Sequence, residues 1–126
     1  MIDIDNAREL LKRAVETRGR DFVYINLRDS IGCYYLPITD PLINHYFQMI
    51  NPDDHRANTA CLIGVALDLA GETRHHTQFC DVISLHFKYP DMMSSQAAAY
   101  FQVAQAKQDN GSTWGEAYDA AEEYLK

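Results

Sequence analysis

The sequence predicts an α+β fold: about five helices, a short antiparallel β-hairpin near the N-terminus, and a C-terminal helical hairpin. Three observations lead there. Apolar residues recur at helical spacing in several segments; aromatic and β-branched residues cluster at 22–25 and 33–36 around turn residues; and Asp109–Asn110–Gly111 separates two helical patterns near the end.

The first helix is set by Ala7, Leu10, Leu11, Ala14 and Val15, which fall on one face at i, i+3, i+4, i+7 and i+8. Asp3 or Asp5 can cap its start and Gly19 can end it. Phe22–Val23–Tyr24–Ile25 then reads as a strand, Asp29–Ser30–Ile31–Gly32 as a turn, and Cys33–Tyr34–Tyr35–Leu36 as the returning strand. Asp40–Pro41 starts a second helix with Leu42, Ile43, Tyr46, Phe47 and Ile50 on one stripe, and Asn51–Pro52 stops it. Asn58 to Ala70 is apolar on nearly every side, which marks a central core helix capped by Asn58 or Thr59 and ended by Gly71.

Residues 72–93 carry two patterns. Ile83, Leu85, Phe87 and Tyr89 alternate with polar residues as in a strand, while Asp81 equally suits the cap of a short helix ending before Pro90. Beyond them, Ser94 or Ser95 caps a helix with Ala97, Tyr100, Phe101 and Ala104 on one face. Thr113–Trp114–Gly115–Glu116 matches a capping box for the last helix, with Ala117, Ala121 and Tyr124 expected inward and Trp114 buried near the bend.

A length of 126 residues suits a single compact domain, 1–126, and a hydrophobic content of 47% is enough to bury a core. The longest apolar run, Ala60 to Leu67, falls well short of the roughly 20 residues that span a bilayer. Met1–Ile2–Asp3–Ile4–Asp5 is acidic where a secretory signal would be basic and then apolar. Three widely spaced cysteines, Cys33, Cys61 and Cys80, read as reduced core thiols. The expected location is therefore the cytoplasm, with no membrane partner.

The net charge is −7, and residues 1–30 are neutral with six groups of each sign, so the acidity belongs to residues 31–126. An acidic field repels phosphate, which argues against nucleic-acid binding except through the basic side of the first helix, at Arg8, Lys12, Arg13 and Arg20. A solvated helix face with intrahelical ion pairs explains the same residues.

No phosphate-binding glycine loop, Gly-x-Ser-x-Gly elbow, His-Glu-x-x-His or Cys-x-x-Cys is present, so the sequence assigns no catalytic, cofactor-binding or metal-binding residues. The densest set of potential ligands is Cys61, His75, His76 and Cys80, whose spacing does not complete a zinc site. Cys33 or Cys61 with His86 or His45, plus Asp81 or Asp68, would name a catalytic triad, but such a list arises in almost any chain of this composition. Asp53–Asp54–His55 is an acid/base cluster that more simply solvates a loop. Eight tyrosines exceed what a core of this size needs, and tyrosine suits interfaces because it joins apolar area to a polar tip. Tyr34, Tyr35 and Tyr46, with Arg8 and Lys12, are the candidate interaction residues.

Four segments occur in order: Arg18–Gly19–Arg20–Asp21–Phe22–Val23–Tyr24, Cys33–Tyr34–Tyr35, Cys61–Leu62–Ile63–Gly64–Val65–Ala66–Leu67, and the stretch from Gln105 through Trp114 to Ala117. In these the chain resembles a group of small proteins encoded by bacteriophages of actinobacteria. The resemblance does not extend to residues 38–56 or 72–93, and it brings no activity or catalytic residues. It implies a phage accessory protein in the cytoplasm of a bacterial host. The leading expectation is thus a non-enzymatic accessory protein acting by protein–protein interaction, either as a homo-oligomer or on a host protein. The alternatives are a small hydrolase or transferase with a Cys/His or Asp/His site, and a nucleic-acid-associated protein using the first helix.

Overall fold

A computed structural model describes residues 1–24, 61–78 and 80–126, and within them the chain is all-helical. The described elements are α1 (Ile4–Arg18), α2 (Leu62–Leu69), a 3-10 turn (Arg74–Thr77), α3 (Val82–Lys88), α4 (Ser95–Asp109) and α5 (Trp114–Tyr124). The α+β expectation is overturned. No strand occurs among the described residues, and Phe22–Tyr24, the first half of the expected hairpin, is irregular. The reason is tertiary. The Phe22 carbonyl accepts from the Trp114 amide at 2.8 Å, and the Phe22 ring packs edge-on against Trp114 at 4.7 Å, so this segment seats the start of α5. β-propensity in Phe-Val-Tyr reports a half-buried surface more than a backbone preference, and a helix terminus supplies one as well as a sheet does. Cys33–Leu36, the helix expected after Asp40–Pro41, and Asp53–Asp54–His55 lie outside the described residues.

α1 forms as its periodicity requires. Ala7, Leu10, Leu11, Ala14 and Val15 are all buried, and Asp3 caps the helix by accepting from the Asn6 amide at 2.8 Å. The described part of the core helix begins at Leu62, later than the Asn58 or Thr59 cap expected. Cys61 is the N-cap, its sulfur accepting from the Gly64 amide at 3.5 Å. For residues 82–88 the helical alternative holds: Asp81 accepts from the Ser84 amide at 2.8 Å, and only Val82 and Leu85 are buried, so the alternation reflects one turn of a short amphipathic helix.

α4 packs against α5, α3, α1 and α2 and is the hub of the fold. Its apolar face (Ala97, Tyr100, Phe101, Ala104) is buried as expected, but its polar residues are structural too. Gln102, Gln105 and Gln108, spaced by three, point side-chain oxygens at helix N-termini. Gln105 accepts from the Val82 amide at 2.8 Å, Gln102 from Ile83 at 3.1 Å, and Gln108 from Leu62 at 2.7 Å. These are first-turn amides that have no partner within their own helices. Gln108 also accepts from the indole Nε1 of Trp114 at 3.1 Å.

The capping box at Thr113–Glu116 forms in both directions, and Trp114 is fully buried at the bend. Tyr124, expected inward, is 54% exposed. Gly115 is required by close approach. A Cβ there would lie 2.8 Å from the Arg20 Cβ and 2.9 Å from its carbonyl oxygen, the oxygen that accepts from the Gly115 amide. Gly115→Ala is expected to destabilise the fold by about 1–3 kcal/mol, the usual range for overpacking. A denaturant midpoint equal to wild type would contradict this.

Candidate functional site: a carboxylate with two imidazoles

α2 ends in a way that creates a site. Gly71 takes a left-handed φ of 80°, its amide donates to the Asp68 carbonyl at 3.0 Å, and the next amide, Glu72, donates to the Leu67 carbonyl at 3.1 Å. This paired bonding is the Schellman stop, which glycine favours because it has no Cβ to clash. The chain then doubles back, and the 3-10 turn brings two adjacent histidines against the last turn of the helix it has left.

His75 and His76 both direct Nε2 at one oxygen, Oδ1 of Asp68, each at 2.7 Å, with the two rings edge-to-face at 4.4 Å. A carboxylate oxygen only accepts, so both imidazoles carry their proton on Nε2 in this arrangement. His75 is fully buried, whereas the side chains of His76 and Asp68 are 32% and 41% exposed. Burial pushes the His75 pKa below its ordinary value, opposed by the hydrogen bond and charge of Asp68, and His75 is held neutral at physiological pH.

The turn that carries the histidines is anchored from outside. Thr73 gives it no side-chain cap; instead the Glu72 carboxylate accepts from the amides of Thr73 and Arg74 at 2.9 and 3.0 Å. Arg74 grips both Glu72 oxygens and both Asp91 oxygens, all at 3.0 Å, and its guanidinium lies over the Tyr89 ring at 5.2 Å. The Arg74 hydrogen bonds hold the Glu72 carboxyl down at about 2, and Asp91 also lies below its usual range.

Asp68, His75 and His76 offer three ligand atoms within 4.8 Å of one another, and they are the one such group among the described residues. A first-row metal ion with bonds of about 2.0–2.2 Å holds its ligand atoms roughly 3.3 Å apart. To admit an ion the 2.7 Å contacts would open by about half an ångström, and each imidazole would give up its Nε2 proton, to its own Nδ1 or to solvent, so that the Nε2 lone pair can face the metal. Two imidazole nitrogens and one carboxylate oxygen suit Zn²⁺, Co²⁺, Ni²⁺ or Fe²⁺, whereas Ca²⁺ and Mg²⁺ take all-oxygen sets.

The sequence-nominated residues are distributed differently. Of Cys61, His75, His76 and Cys80, only the histidines come together. Cys61 is disulfide-bonded, so the reading of three reduced thiols fails there; Cys80 is half-buried and takes no part in a disulfide. His86 lies on α3 with Nε2 at 3.4 Å from the Ser95 hydroxyl. Arg8 makes a two-pronged ion pair with Glu122 at 2.9 and 3.0 Å, and Glu122 also accepts from the Tyr100 hydroxyl at 2.9 Å, so this arginine ties α1 to α5. Burial, reinforced by that hydrogen bond, raises the Tyr100 pKa. Arg20 is paired with Asp119. Lys12 is exposed on a shallow cavity of about 290 Å³ beside Asp5, Glu9 and Glu122, whose charges offset its own. Tyr34, Tyr35 and Tyr46 lie outside the described residues.

Asp68 is the site residue that the sequence reading failed to group with the histidines. Its signal is legible afterwards: an aspartate three residues before a helix-stopping glycine, followed by tandem histidines within one short turn. No described helix is long and apolar enough to cross a membrane. No protein-family model, curated protein or solved structure matches the chain.

Proposed function

We propose that this chain is a non-enzymatic accessory protein of a bacteriophage that works by binding in the host cytoplasm, and that its built polar site takes a divalent transition-metal ion. The convergence of His75 and His76 on one oxygen of Asp68 carries the metal reading. The phage and cytoplasmic parts rest on the sequence resemblance. The Cys61 disulfide runs against a reducing cytoplasm, where such bonds are rare, and thiol titration of protein taken directly from host cytoplasm tests the location. It also removes Cys61 as a nucleophile, which weakens the hydrolase alternative. Arg8 and Arg20, committed to Glu122 and Asp119, weaken the nucleic-acid alternative.

Three protein donors would leave a bound ion free to take a further ligand, as in zinc sites that keep an open position. The association expected of an accessory protein, with a second copy or a host protein, is tested by light scattering with and without the ion. A strictly monomeric chain in both conditions that also captures no host protein counts against that part.

The metal reading predicts one Zn²⁺ or Co²⁺ per chain in calorimetric titration, and no comparable uptake of Mg²⁺. Free ion at 100 times its dissociation constant should stabilise the protein by about 2.7 kcal/mol. His76→Ala, at a half-buried position, and Asp68→Asn, at an exposed one, should remove the binding and the thermal shift while leaving the apo protein folded. Unchanged uptake in both variants sinks the assignment.

A further inference from the structure

We infer that Arg74 is a positioning residue for the Asp68–His75–His76 site, setting its metal affinity without touching the ion; the inference rests on the metal-binding reading above. A 3-10 turn of four residues has little stability of its own, because its hydrogen bonds are poorly aligned and too few to repay nucleation. The placement of both imidazoles is therefore decided by what holds the turn at its ends.

At the leading end that holder is Arg74, the residue immediately before the ligands. Glu72 binds the first amides of the turn, and Arg74 fixes Glu72 through two hydrogen bonds. Its remaining fork reaches across to both oxygens of Asp91, in the turn between α3 and α4. One planar guanidinium thus joins the end of α2, the start of the histidine turn and the α3–α4 turn, and a lysine, as a single point charge, cannot span two carboxylates in this way. At the trailing end Gln78 accepts from Lys88 at 3.0 Å and donates to the Tyr89 hydroxyl at 3.4 Å, so the two ends of the turn are tied to the end of α3 and to the turn that follows it. Outer residues bonded directly to metal ligands commonly set affinity by 10- to 100-fold, and Arg74 acts one step further out, through the backbone of the turn that carries the ligands.

The test is a Co²⁺ titration read by visible absorption, with Zn²⁺ competition, on the full chain below the melting temperature of every variant. Arg74→Ala should weaken Co²⁺ by about 10- to 100-fold and alter the absorption bands, since the histidines no longer meet the ion at a fixed angle. Arg74→Lys should recover only part of that loss. Asp91→Ala, at an exposed side chain, should weaken binding in the same direction, and combining it with Arg74→Ala should add little because both remove one link. If Arg74→Ala fails to fold, Arg74→Lys and Asp91→Ala decide the matter. Affinity and spectrum within twofold of wild type in these variants, while His76→Ala abolishes binding, overturns the role of Arg74 and leaves the metal site standing. Absence of Co²⁺ and Zn²⁺ binding by the wild-type chain overturns both.

Discussion

Gln108→Leu is expected to destabilise the protein by about 2–5 kcal/mol, because each buried donor left without an acceptor costs roughly 1–3 kcal/mol and this substitution strands two. The Gln108 side-chain oxygen accepts from the Leu62 amide at 2.7 Å and from the Trp114 indole at 3.1 Å, and Gln108 is 1% exposed. Leucine keeps the approximate volume, so the loss measures the hydrogen bonds and not a cavity. The expected midpoint falls by roughly 8–20 °C for a chain of this size. Truncating the indole as well separates the two bonds: Trp114→Phe in the Gln108→Leu background should cost less than in wild type, since the stranded indole donor is gone. Additive losses would mean that the shared oxygen does not couple α2 to α5.

The neighbouring residue predicts the opposite sign. Asp109 ends α4, where the helix dipole disfavours an anion, and burial lifts its pKa from 3.8 to about 6 against the smaller opposing effect of its hydrogen bond from Gln108. A carboxyl whose folded pKa is raised contributes stability that is full below its unfolded pKa, near 3.8, and lost as pH rises through 6. At pH 7 the ionised group is therefore a burden on the native state. Asp109→Asn keeps an oxygen for Gln108 and removes the charge, and should stabilise the protein by about 1–3 kcal/mol at pH 7. The gain should shrink steadily on acidification and vanish near pH 4. Denaturation midpoints of both proteins between pH 4 and 8 would show it; a gain independent of pH would assign the effect to something other than the carboxyl.

Most of the local structure is written in local residues. The face of α1, the Asp3 and Ser94 caps, the capping box at Thr113 and the burial of Trp114 follow from spacing and side-chain chemistry within a few positions. Phe22–Tyr24 was misread because aromatic and β-branched residues state a need for burial and leave the partner open. The glutamines of α4 satisfy amides 19 to 46 residues away, partners that no local pattern specifies.

The two histidines illustrate the boundary. By itself the sequence determined that Asp68 precedes a helix stop at Gly71 and that His75 and His76 sit together a few residues later, because those facts are matters of spacing and of the left-handed freedom of glycine. Only the tertiary structure decided that both rings turn to the same carboxylate oxygen. The direction of the turn after Gly71 is set by Arg74 reaching Asp91, 17 residues on, and by the buried seat of His75, and neither is encoded in the short stretch that supplies the site.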